Sequence, residues 1–90
     1  MSYRLQSTPT FEKAFKQLDP STARQVTKKL LWLSAHPEAL RHAIRYLPAD
    51  LRGLQKYRVG DWRVLFWVDH DHHVITLYTV EHRSTIYRRF

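Results

Sequence analysis

Leu54 to Val68 reads LQKYRVGDWRVLFWV. Apolar and polar residues alternate up to Val59, break at Gly60-Asp61, and alternate again from Trp62, which is the period-two pattern of two strands. Gly-Asp between such runs suits a two-residue hairpin turn, because glycine takes the positive φ of the first central position at no steric cost. That loop length puts Val59 opposite Trp62, Arg58 opposite Arg63 and Lys56 opposite Leu65. One face of the hairpin then carries Tyr57, Val59, Trp62, Val64, Phe66 and Val68, a core face. The other carries Lys56, Arg58 and Arg63 near the turn, with Leu54, Leu65 and Trp67 further back.

The second face has the unusual chemistry. Arg58 across from Arg63, with Lys56 two residues away, stacks like charges where cross-strand neighbours ordinarily attract. An anion between them relieves the repulsion, and a phosphate fits the guanidinium geometry. Long solvated cations on a basic domain are the plain alternative.

Working outward, Tyr3 to Ser7 alternates as a short strand. Thr8-Pro9 reads as a helix cap with proline in the first turn, followed by Phe11, Phe15 and Leu18 at helical spacing. Asp19-Pro20 repeats that start signal, and Ala23, Val26, Leu30 and Leu33 form the stripe of a second helix closed by His36-Pro37. The segment from Glu38 to Asp50 is expected to hold a helical turn before Pro48 and then a loop. Asp69 to His73 (DHDHH) reads as a turn, and Val74 to Val80 as a β-branched strand, with Glu81-His82-Arg83 leaving the sheet. The expected fold is α+β, ordered β-α-α-β-β-β, an antiparallel sheet with a helical hairpin packed on one face and the basic end of the other face open.

Ninety residues suit one domain, 1–90, just large enough for a single core. With 43% hydrophobic residues, three Trp and five Tyr, the chain is globular and not disordered. The absence of cysteine excludes a disulfide scaffold and a thiolate metal site. The N-terminus lacks an apolar signal core and no run approaches membrane-spanning length, so a cytoplasmic protein without membrane contact is expected. A formal net charge of +7 favours a polyanionic partner, either nucleic acid or an acidic protein. His70, His72 and His73 invite a metal reading, but they fall in an expected exposed turn without a partner motif, so no metal is expected.

Leu54 to Phe66 and Val80-Glu81-His82-Arg83-Ser84-Thr85-Ile86-Tyr87, behind a helix pair in the right order, resemble the RelE/ParE toxin superfamily of toxin–antitoxin systems. The resemblance covers nearly the whole chain. It implies a ribosome-dependent endoribonuclease that needs no cofactor, cleaves messenger RNA in the ribosomal A site, inhibits translation, and is held inactive by a cognate antitoxin in a hetero-oligomer. It also implies roles. Lys56 and Arg63 match the cationic hairpin positions that contact the scissile phosphate, with Arg58 a further basic position on the same face. Arg83 matches an arginine near the leaving group, and Tyr87 a tyrosine proposed as general base. His82 stands where some ribonuclease branches use a catalytic histidine, so the proton-transfer group stays open between the two. The sequence departs from the pattern at Leu54, where RelE-like members often carry a second lysine.

Each residue has a plainer alternative. Tyr87 can pin the C-terminus by ring packing, and His82 can cap the strand end. Trp62 and Trp67 can stack on bases, although the parity of Trp62 makes it core. The second-helix cations Arg24, Lys28 and Lys29 read as a solvated face or, more sharply, as a contact to ribosomal RNA. Two other functions share the fold: a ParE-like toxin that inhibits DNA gyrase by binding, and a non-catalytic RNA-binding module.

Overall fold

The computed structural model describes residues 2–40, 44 and 47–89, with side chains through residue 86. Thr8 and Asp19 start the two helices as their chemistry dictates. The Thr8 hydroxyl accepts the Phe11 N–H at 3.1 Å ahead of α1 (Pro9–Lys16), and Asp19 accepts the Thr22 N–H at 3.2 Å ahead of α2 (Pro20–Ala35). His36 ends α2 where Pro37 cannot continue it. Short 3-10 turns follow at Pro37–Ala39, a helical turn before Pro48, and at Ala49–Leu51 just after it. Much of the stretch between them lies outside the described residues.

The strands are β1 (Arg4–Ser7), β2 (Gln55–Val59), β3 (Trp62–Asp69) and β4 (Val74–His82), in the spatial order β1-β4-β3-β2. The β2–β3 register is the expected one: Val59 opposite Trp62, Arg58 opposite Arg63, Lys56 opposite Leu65. Gly60 takes φ +60°, while Asp61 is not among the positive-φ residues, the one-positive pattern of a type II′ turn. The β1–β4 pair is parallel, so the sheet is mixed and not wholly antiparallel. A parallel neighbour needs a long connection, and everything from α1 to β3 supplies it.

Both faces of the sheet are covered, unequally. Phe11 of α1 and Val26, Leu30 and Leu33 of α2 pack on Val59, Val64, Phe66, Ile75, Leu77 and Val80, the main core. On the other face Leu54, Leu65 and Ile86 form a smaller buried cluster bordered by Ile44, Leu47, Trp67 and Tyr78. Ile86 belongs to α3 (Arg83–Arg89), a helix where the sequence reading had the chain simply leaving the sheet. β4 runs two residues beyond Val80, because Glu81 and His82 still pair with Arg63 and Trp62. A bulge lies between: Leu65 pairs with Thr79 and Phe66 with Leu77, so Tyr78 is the extra residue, packed against Trp67 with ring centroids 5.2 Å apart.

Candidate functional site

The hairpin brings Lys56, Arg58 and Arg63 to the face opposite the helices, between the Gly60-Asp61 turn and the smaller apolar cluster. Lys56 and Arg63 are diagonal cross-strand neighbours, a separation of roughly 7–8 Å that two long side chains span to reach one phosphate. Arg63 is the most organised of the three. Its Nη1 donates to the carbonyls of Gly60 and Trp62, both at 2.9 Å, which folds the guanidinium back against the turn. Lys56 and Arg58 are exposed.

Arg83 reaches the same turn from the other side of the sheet. Its backbone N–H donates to the Asp61 carbonyl at 2.8 Å, and its Nε lies 4.0 Å from Asp61 Oδ1. The turn that aligns β2 with β3 therefore also anchors the start of α3, and two arginines expected from sequence converge on it. At this exposure the Arg83–Asp61 pair positions more than it stabilises. Tyr87 lies in α3 four residues after Arg83, with its side chain outside the described residues.

His82 does not join this group. Strand parity puts it on the helix face, where its ring packs edge-on against Trp62 at 5.4 Å between centroids. Its Nδ1 accepts the Ser84 backbone N–H at 3.3 Å and lies 3.0 Å from the Ser84 hydroxyl. Leu54 is fully buried in the smaller cluster, so the departure from a lysine there belongs to packing.

Two contributors escaped the sequence reading. Glu81 is the β4 partner of Arg63, so the row across the sheet runs Arg58, Arg63, Glu81, and the like-charge pair has an acid on its far flank. Asp61 was legible as a turn residue, but nothing local signals that it would hold Arg83. At the other end of the hairpin, Asp69 accepts the His72 N–H at 3.1 Å and lies 2.8 Å from His72 Nδ1, which holds its carboxyl below the usual aspartate range. Among the described residues no group of three or more His, Cys, Asp or Glu is disposed to hold a metal ion. Nor, among them, is any helix long and apolar enough to cross a membrane.

The arrangement can bind and polarise a phosphodiester. Oriented cations beside a partly dry surface stabilise charge that develops on phosphate oxygens. Arginine, with a pKa above about 12, does this without exchanging protons.

Residues 5–87 match the family model described as the ParE toxin of the type II toxin–antitoxin system parDE. Along its length the chain is 29% identical over 90 residues to Toxin RelG of Mycobacterium tuberculosis, covering 99% of this chain and 100% of that protein. Among solved structures it is similar to a chain of the toxin–antitoxin complex RelBE2 from Mycobacterium tuberculosis, with TM-score 0.80 and 25% identity over 93% of this chain and 94% of that one. The fold also matches a chain of the intact E. coli RelBE toxin–antitoxin complex, with TM-score 0.71 and 21% identity over 90% and 96% of the two chains.

Proposed function

The chain belongs to the ParE toxin family of type II toxin–antitoxin systems, within the RelE/ParE superfamily, and from that premise we propose a ribosome-dependent endoribonuclease that cleaves messenger RNA in the A site and stops translation. The observation that carries the proposal is that Arg63 and Arg83 both anchor to one hairpin turn, with Lys56 and Arg58 beside Arg63 on the face opposite the helices. Cleavage by the neighbouring 2′-hydroxyl needs that hydroxyl deprotonated, the phosphorane charge stabilised, and the 5′-oxygen protonated as it leaves. Arg63 and Arg83 meet the middle demand, and Lys56 and Arg58 hold the phosphate. Tyr87 is the proton-transfer group favoured here, because His82 packs on Trp62 on the opposite face. No step calls on a metal or cofactor. A cognate antitoxin is the natural inhibitor, an acidic segment complementing the +7 chain in a hetero-oligomer, as RelBE2 forms a toxin–antitoxin complex.

A second reading has its own observation. The family model is the ParE one, and Leu54, where RelE-like members often carry lysine, is buried core. Both suit a toxin that inhibits DNA gyrase by binding. Single-turnover cleavage of message on programmed ribosomes, with chelator present, tests the choice. Message cut by wild-type protein and spared by Arg63→Ala supports the ribonuclease. Intact message together with growth arrest rejects it in favour of gyrase.

A further inference from the structure

A second basic feature lies at the rim of the sheet. Gln25, Lys28 and Lys29 stand at i, i+3 and i+4 on α2, neighbours on one side of the helix. With Arg58, Val59 and Gly60 of the hairpin they line a cleft of about 560 Å³. Three cations from two separate elements converge on this opening, and its lining contains no acid. Among the described residues, Lys28, Lys29 and Arg58 have no acidic partner within ion-pair distance, whereas Arg63 is held by turn carbonyls and Arg83 by Asp61. Solvated lysines on a helix face are ordinary. Less ordinary is a shared cleft with the nearly buried Val59 in its wall, and with Gly60 beside it, where an added Cβ would meet nothing within 4 Å. Like charges gathered near apolar surface repel more than in open water, and a bound anion relieves them.

We propose that this cleft binds a phosphodiester phosphate of RNA, as a second phosphate subsite beside the hairpin row. Arg58 belongs to both: register puts it opposite Arg63, and it also lines the cleft with Lys28 and Lys29. The two features make one continuous cationic track, from Lys56 across Arg58 to α2. A chain of regularly repeated phosphates fits such a track better than the irregular carboxylates of a peptide. The Gln25 amide adds a neutral donor. The inference rests on RNA being the partner, as under the ribonuclease reading, but it requires only binding.

The test is fluorescence anisotropy of the full chain with a 2′-O-methyl oligonucleotide, which lacks the attacking hydroxyl, and separately with small ribosomal subunits free of message. Lys28→Ala/Lys29→Ala is compared with Arg4→Ala/Lys16→Ala, which removes the same charge at the opposite sheet edge. The cleft pair should weaken RNA binding roughly tenfold more than the control. For the oligonucleotide it should also flatten the slope of log affinity on log salt by about 0.7, the value for one lost phosphate contact on a single strand. Lys28→Arg/Lys29→Arg should retain binding. An effect on the oligonucleotide identifies the phosphate as the message's, and an effect on subunits alone identifies it as ribosomal. Equal weakening by both pairs overturns the proposal, since it means diffuse charge only. Unchanged RNA binding with weakened binding of an acidic peptide overturns it as well, and gives the cleft to a protein partner. Failure of the ribonuclease reading shows separately, as uncut message on programmed ribosomes.

Discussion

The two faces of the sheet are made from the same strands by the same alternation, yet they do different work. On the helix face, Val59, Val64, Phe66 and Val80 are each 5% exposed or less, beneath α1 and α2. On the other face the apolar residues give out toward the turn, and Arg58, Arg63 and Glu81 lie side by side across three strands with Lys56 adjacent. The first face supplies folding free energy. The second leaves charges where a packed surface would have neutralised or excluded them, and holds them in place through Gly60 and Asp61. Substitutions should therefore sort by face: those on the helix side move stability, and those near the turn move function in a protein that still folds.

The largest separation is expected at the proton-transfer step. General acid–base groups contribute about 10²–10⁴-fold, so Tyr87→Phe, which removes only a hydroxyl, should lower single-turnover cleavage by that order with an unchanged melting temperature. His82→Gln is the counterpart on the helix face, where His82 packs on Trp62. If His82→Gln abolishes cleavage while Tyr87→Phe keeps it, catalysis draws on the helix face and the division fails. Next in size, Arg63→Ala or Arg83→Ala should cost about 10²–10³ in cleavage rate, the usual effect of losing one oriented donor. Melting should again barely move, since both side chains are partly or fully exposed.

Legibility in the sequence follows the same division. The hairpin register and the helix face could be read because turn chemistry and alternation are local, and the caps at Thr8 and Asp19 announce themselves by residue type. Lys56, Arg58 and Arg63 were legible as a group for that reason. The parallel β1–β4 pairing was not, because no local pattern records which distant strand Arg4 to Ser7 will meet. Nor was α3: Arg83 to Arg89 (RSTIYRR) contains the poor helix formers Ser84 and Thr85, and Ile86 packs against Leu54 and Leu65, distant residues that no local pattern announces. Nor was the face on which His82 lies. Two further paired residues in β4 give it the parity of Trp62, and only the tertiary pairing reveals that. Leu54 looked like a missing cation until its burial identified it as core.

Stability should respond in the opposite sense on the helix face. Phe66→Ala removes a ring 1% exposed at the centre of the main core and should cost about 3–5 kcal/mol. That is a large share of the roughly 5–15 kcal/mol available to a domain. Urea unfolding measures it, and cleavage per folded molecule should stay near wild type. Thr8→Ala is the milder version. The hydroxyl caps α1 and also donates toward the Leu77 and Tyr78 carbonyls at 3.0 and 2.9 Å, so the loss should be about 1 kcal/mol, or roughly 4–8 °C in melting temperature. A loss of cleavage larger than the loss of folded protein, for either variant, would show that the faces are coupled.

The smallest expected effect is set by pH and lies wholly in the scaffold. Asp19 has its pKa held below the ordinary aspartate value, first by the Thr22 hydroxyl donating at 2.6 Å and then by the Thr22 backbone N–H. A depressed folded-state pKa means that the unfolded chain takes up the proton first as pH falls. The contribution is therefore complete at neutral pH, begins to fade near pH 4, where a free aspartate titrates, and is gone once pH drops below the folded value. Asparagine caps a helix about as well as aspartate but does not titrate. Asp19→Asn should therefore resemble wild type less closely at neutral pH than in acid, where the protonated wild type has lost the advantage of its charge. Urea midpoints for the two proteins at pH 7 and pH 2.5 measure this. The gap between them, in favour of wild type at pH 7, should shrink or reverse at pH 2.5, and a gap that stays constant across that window removes Asp19 from the acid response of the fold.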